Sequence, residues 1–160
     1  PKKGRSHLLH IIREMLEFEP VSRQTNISEA LRFLTNALKK RCTAFLLSDL
    51  MDIDHAEQPR FEEALKIAVN KHDLAAIQIY DHRETELPDV GLIRLMDAET
   101  NREQWIDTSG RRVRDNYARW YRNSQERIRT MLNKYQVDHV RIATDQDYVQ
   151  PLIRLFKKRA

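Results

Sequence analysis

Helical and strand-like hydrophobic spacings alternate along this chain. After Ser6, a helix-capping residue type, Leu8, Leu9, Ile11, Ile12, Met15 and Leu16 form one apolar stripe, and Pro20 stops it. The pattern predicts a helix to about Phe18. A second helix is predicted from Ile27 to about Lys39, with Ile27, Ala30, Leu31, Leu34 and Leu38 on one face. Thr43 to Leu47 is apolar and too short for a core helix, so it reads as a buried parallel strand. Pro59 opens a third helix, from Arg60 to Asn70, whose inner face is Phe61, Ala64, Leu65 and Ala68. Leu74 to Tyr80 is the next strand.

The texture then changes. Gly91 to Asp97 and Gln104 to Asp107 flank the polar turn Ala98-Glu99-Thr100-Asn101-Arg102, which predicts a β-hairpin at one edge of the sheet. Ser109 is placed to cap a long helix reaching about Tyr135, with Val113, Tyr117, Trp120, Tyr121, Ser124, Ile128, Met131 and Leu132 in helical period. Val137 to Ala143 reads as a strand. A last helix, from about Asp147 to Lys158, carries Val149, Leu152, Ile153 and Phe156. Strands alternating with amphipathic helices predict a three-layer α/β arrangement around a parallel sheet, with an edge hairpin. No repeat, linker or low-complexity stretch divides the chain, so residues 1–160 are expected to form one unit.

Composition narrows the classes. Apolar residues make up 41% and charged residues 32%, which suits a globular domain. No run approaches the roughly 18 apolar residues of a membrane span. The single Cys42 rules out an internal disulfide framework and gives no structural zinc cluster. Only 3 glycines are present, too few and too scattered for a dinucleotide fingerprint or a P-loop. The net charge of +4, from 28 basic and 24 acidic groups, permits attraction to polyanions without requiring it.

The most informative residue for chemistry is Asp49. It follows the first strand, and the C-terminal ends of strands are where open α/β sheets place ligand-binding loops. Thr25 opens the helical pattern beginning at Ile27. A hydroxyl and a carboxylate at the lip of one sheet could share a hard cation such as magnesium. Each has a plainer use. Thr25 or Asn26 could cap the helix, and Asp49 could accept backbone N–H groups in its loop. The cluster Asp52, Asp54 and His55 lacks the spacing and glycine of a calcium loop. His7, His10, His55, His72, His82 and His139 have no ligand spacing, and no nucleophile elbow occurs.

Taken together, several segments resemble the bacterial domain-of-unknown-function family 58. They are Gly4-Arg5-Ser6-His7, Thr25-Asn26-Ile27-Ser28-Glu29-Ala30-Leu31, Phe45-Leu46-Leu47-Ser48-Asp49-Leu50, Ile79-Tyr80-Asp81-His82-Arg83-Glu84-Thr85-Glu86-Leu87-Pro88-Asp89-Val90-Gly91, and the turn Asp97-Ala98-Glu99-Thr100. The resemblance spans nearly the whole chain. It implies a von Willebrand factor A-like (Rossmann-like) fold and, as partner, a MoxR-type AAA ATPase.

The same resemblance implies a metal-ion-dependent adhesion site in the intact domain, holding Mg2+ or Mn2+ and docking an acidic residue of a protein partner. Thr25 matches the Thr position and Asp49 the later Asp position. The Asp-x-Ser-x-Ser segment that supplies the other ligands is absent from the sequence. The chain also starts without an initiator methionine. It is therefore expected to be the C-terminal portion of a longer domain, lacking the leading strands and the upstream ligands. Metal binding by the 160-residue chain is expected to be poor, and the uncovered sheet flank is expected to self-associate. The expected role is a non-enzymatic interaction module; this domain is expected in the cytoplasm, with a membrane-associated parent protein left open.

Two rivals belong to other classes. A metal-assisted hydrolase would use Asp49, Asp52 and Asp54 around the same cation. A nucleic-acid-binding domain would use basic stretches such as Arg111-Arg112-Val113-Arg114, interleaved with Tyr117, Trp120 and Tyr121. Those aromatics keep a helical apolar period, which favours packing.

Overall fold

The computed structural model describes residues 3–19, 24–96 and 103–159. The expected stop at Pro20 and the hairpin turn at 98–102 lie outside them. Chain order gives helices α1 (Arg5–Glu17) and α2 (Ile27–Ala37), strand β1 (Thr43–Ser48), helix α3 (Glu62–Lys71) and strand β2 (Asp73–Tyr80). A short 3-10 turn (His82–Glu84), strands β3 (Leu92–Met96) and β4 (Glu103–Asp107), helix α4 (Arg111–Lys134), strand β5 (Asp138–Ala143) and helix α5 (Val149–Arg159) follow.

β1, β2 and β5 form a parallel sheet in the order β1-β2-β5. The fold is the expected three-layer α/β arrangement. The hairpin is present as β3 and β4, an antiparallel ribbon with Leu92 opposite Asp107.

Side chains alternate across the strands, so one face of the sheet presents Ala44, Leu46, Leu74 and Ala76. Ile27 and Leu31 of α2, Phe61, Ala64, Leu65 and Ala68 around α3, and Ile128, Met131 and Leu132 of α4 pack on that face as one core. α5 lies on the other face, where Phe156 meets Phe45 edge-on with ring centroids 5.7 Å apart. Arg159 ties α5 to the sheet, pairing with Asp73 at the start of β2 and with Asp138 of β5.

At two helix starts the cap differs from expectation. α1 begins at Arg5 because Gly4, at φ 109, turns the chain into the helix, so Ser6 is already inside the first turn. Gly110, not Ser109, is the N-cap of α4. The Ser109 hydroxyl instead donates to the Asp107 carboxylate at 2.5 Å, and this bond holds the Asp107 carboxyl below its ordinary range.

Apolar surface remains open on α1 and beside β1, as it does at Phe33 of α2 and Trp105 of β4. No residue of α1 is buried, and Met15 and Leu16 are 73% and 82% exposed. β1 pairs only with β2 among the described residues, leaving its outer edge bare beside exposed Phe45 and Leu47.

Candidate functional site

Both predicted site residues flank the C-terminal rim of the parallel sheet. Asp49 follows the last residue of β1. Thr25 precedes Asn26, the N-cap of α2. The capping question is settled for Asn26, whose side-chain oxygen accepts the Glu29 N–H at 2.9 Å. Thr25 and Asp49 are both exposed.

A buried contact binds the two loops together. The Asp52 carboxylate accepts the Ile27 N–H at 2.9 Å, and Asp52 is only 5% exposed. Ile27 is the first residue of α2, so the carboxylate also sits at the positive end of the helix dipole. This fixes the segment carrying Thr25 to the loop carrying Asp49.

The Asp49 loop is held from within. Its carboxylate accepts the Met51 N–H at 3.0 Å, and the Ser48 hydroxyl accepts the Leu50 N–H at 3.0 Å. Leu50 has φ 62, a left-handed conformation costly for a branched side chain, and is completely buried. The chain thus reverses at Leu50, sinking its side chain into the core while Asp49 stays at the surface.

From behind, Gln78 braces the same loop. It is a polar residue in the middle of β2 and is 4% exposed. Its amide donates to the Asp49 carbonyl and to the Gln125 side-chain oxygen of α4, each at 2.8 Å. Gln125 in turn donates to the Met51 sulfur at 3.2 Å. Gln78 is not among the residues the sequence pattern singles out. Its visible signal was a carboxamide interrupting an apolar strand, which must find partners when buried.

The rest of the acidic cluster is structural. The Asp54 carboxylate accepts the Ala56 and Gln58 N–H groups at 2.8 and 2.9 Å. Arg127 of α4 clamps that turn through the Ala56 and Glu57 carbonyls and the Glu57 carboxylate. His55 is exposed. Among the described residues no group of three or more His, Cys, Asp or Glu side chains is gathered for a metal. Thr25 and Asp49 offer one oxygen and one carboxylate, while magnesium takes six oxygens in octahedral order. Within this chain they fit such an ion only as part of a site.

Elsewhere on the rim, the Asp81 to Gly91 segment folds on itself. Asp81 caps the turn after β2, accepting the Arg83 N–H at 2.8 Å, and Glu84 closes a capping box. Thr108 donates to the Gly91 carbonyl at 2.8 Å, and the Tyr117 hydroxyl donates to the Glu84 carbonyl at 3.0 Å. The sequence stretch Arg111 to Arg114 is partly structural as well. Arg114 donates to the Thr108 and Ser109 carbonyls and pairs with Asp89 at 3.0 Å.

Residues 1–127 match the family model described as "Protein of unknown function DUF58". The chain belongs to the DUF58 family. Among curated relatives, an uncharacterized protein of Mycobacterium avium is 27% identical over 142 residues, covering 88% of this chain and 79% of that protein. Uncharacterized proteins of Mycobacterium tuberculosis and Mycobacterium bovis are each 25% identical over 162 residues, covering 99% of this chain. This DUF58 chain spans 49% of the length of those two relatives. No solved structure matches it. Among the described residues no helix is long and apolar enough to cross a membrane.

Proposed function

We propose that this chain is the C-terminal portion of a von Willebrand factor A-like domain acting as a non-enzymatic protein-interaction module. In the intact domain, Thr25 and Asp49 would help hold Mg2+ or Mn2+, and the ion's open position would take an acidic residue of the partner. A MoxR-type AAA ATPase is the partner class the family resemblance implies. The observation that carries this reading is the buried bond between the Ile27 N–H and Asp52, which aligns the Thr25 and Asp49 loops at the rim where α/β sheets bind ligands. The bare apolar edge of β1 and the greater length of two relatives support further strands outside this chain.

Two of the three carboxylates of the hydrolase alternative are more committed than Asp49, which is exposed and accepts one neighbouring N–H: Asp52 is buried against the Ile27 N–H, and one Asp54 oxygen accepts two backbone N–H groups. Calorimetry tests the proposal. Magnesium should bind this chain weakly and a version extended upstream tightly, with Asp49→Ala abolishing the tight binding. Tight binding untouched by Asp49→Ala would refute the assignment, as would phosphoester turnover lost with Asp49→Ala.

A further inference from the structure

The opposite edge of the sheet carries a second, chemically different surface. β5 pairs only with β2 among the described residues. The Thr144 N–H donates to the Tyr80 carbonyl at 3.0 Å. Backbone direction in a strand alternates with period two, so His139 and Arg141, out of phase with Thr144, turn their N–H and C=O groups to the open side.

The side chains of these two residues line a cleft of about 300 Å³ between the edge and α4, with Tyr121, Arg122, Glu126 and Arg129. Its ionic groups are three guanidiniums and one carboxylate, and Arg129 already pairs with Glu126 at 2.9 Å. Arg141 is held in place, stacked 4.3 Å over the Tyr80 ring and donating to the Tyr121 hydroxyl at 3.4 Å. Arg122 makes no ion pair among the described residues and is exposed. A strand added beside β5 would project every second side chain into this cleft.

We infer that the free edge of β5 is a docking strand for an extended acidic segment of a protein partner, with carboxylates at alternate positions. The backbone edge supplies hydrogen bonds and the arginines select charge. A nucleic acid satisfies only half of this surface. It has no alternating amide and carbonyl groups for the edge, and buried Tyr121 offers no stacking platform. The surface needs no metal and stands apart from the Thr25 and Asp49 reading.

The test is an NMR titration of the 160-residue chain, in EDTA, with a capped Thr-Glu-Val-Glu-Val-Glu peptide. Amide shifts are expected along His139 to Ala143 and at Arg122. Joint Arg122→Gln and Arg129→Gln substitution, on exposed positions that leave the spectrum folded, should weaken binding about tenfold. A lysine version of the peptide, and one N-methylated at alternate amides, should not bind. Equal binding of either control overturns the inference, and so do shifts confined to β1 or to the Asp49 loop. The same shifts with a single-stranded oligonucleotide would overturn it in favour of nucleic acid. Because EDTA removes divalent ions, failure here is independent of failure of the metal-dependent proposal.

Discussion

The Ile27 N–H and the Asp52 carboxylate meet at 2.9 Å across 25 positions of sequence. Removing the acceptor leaves a buried donor alone, so Asp52→Ala should lower stability by about 1–3 kcal/mol. Asp52→Asn retains an acceptor and should cost less. Exposed Asp49 should tolerate Ala with a loss under about 1 kcal/mol. Urea unfolding midpoints of the three variants check the order, and equal losses for Asp49→Ala and Asp52→Ala would contradict it.

Gln78→Leu should act on the Asp49 loop from behind. It removes the donor to the Asp49 carbonyl and to Gln125 while keeping a similar volume. A loss of about 1–3 kcal/mol is expected, with faster hydrogen exchange at the Met51 amide. Unchanged exchange there would mean that the loop holds itself.

Acid should loosen the attachment of α5. The hydrogen bond from Arg159 holds the Asp73 carboxyl below its ordinary range. The folded state therefore takes up this proton less readily than the unfolded state. Its stabilisation is complete above the unfolded carboxylate value of about 3.9 and fades as pH falls through the lower folded value. Asp73→Asn should flatten the acid limb of the stability curve and leave its slope near neutral pH alone. Asp73 is 46% exposed, so the effect is modest. Identical acid limbs in thermal melts would rule the linkage out.

Exposed Phe45 and Leu47 beside the bare strand β1 should make the 160-residue chain self-associate. Sedimentation should show a concentration-dependent dimer, and Leu47→Lys should return it to monomer. Under the proposed function, an upstream-extended version covers this edge and should sediment as a monomer. A monomer for the unmodified chain at high concentration would contradict the expectation.

The parallel strands were legible because short apolar runs between helical stripes have few other uses, as Thr43 to Leu47 and Leu74 to Tyr80 illustrate. Asp49 and Thr25 were legible as positions, one after a strand and one before a helix. The contacts that organise them were not. Asp52 and Ile27 meet only after the loop beyond β1 folds back, and Gln78 finds its partners 29 and 47 residues away. Local patterns also misplaced two caps, because Gly4 and Gly110 took the positions expected of Ser6 and Ser109.

Leu50 gives the rim a mechanical character. Its side chain is a peg seated in the core, and its φ of 62 is the bend from which Asp49 stands out. Shifting the backbone at Leu50 would unseat that peg and open a cavity costing about 2–5 kcal/mol. The carboxylate is therefore presented at a fixed station before anything arrives. Under the proposed function, an ion or partner would meet a rigid post, and the entropy of ordering that loop was spent when the chain folded.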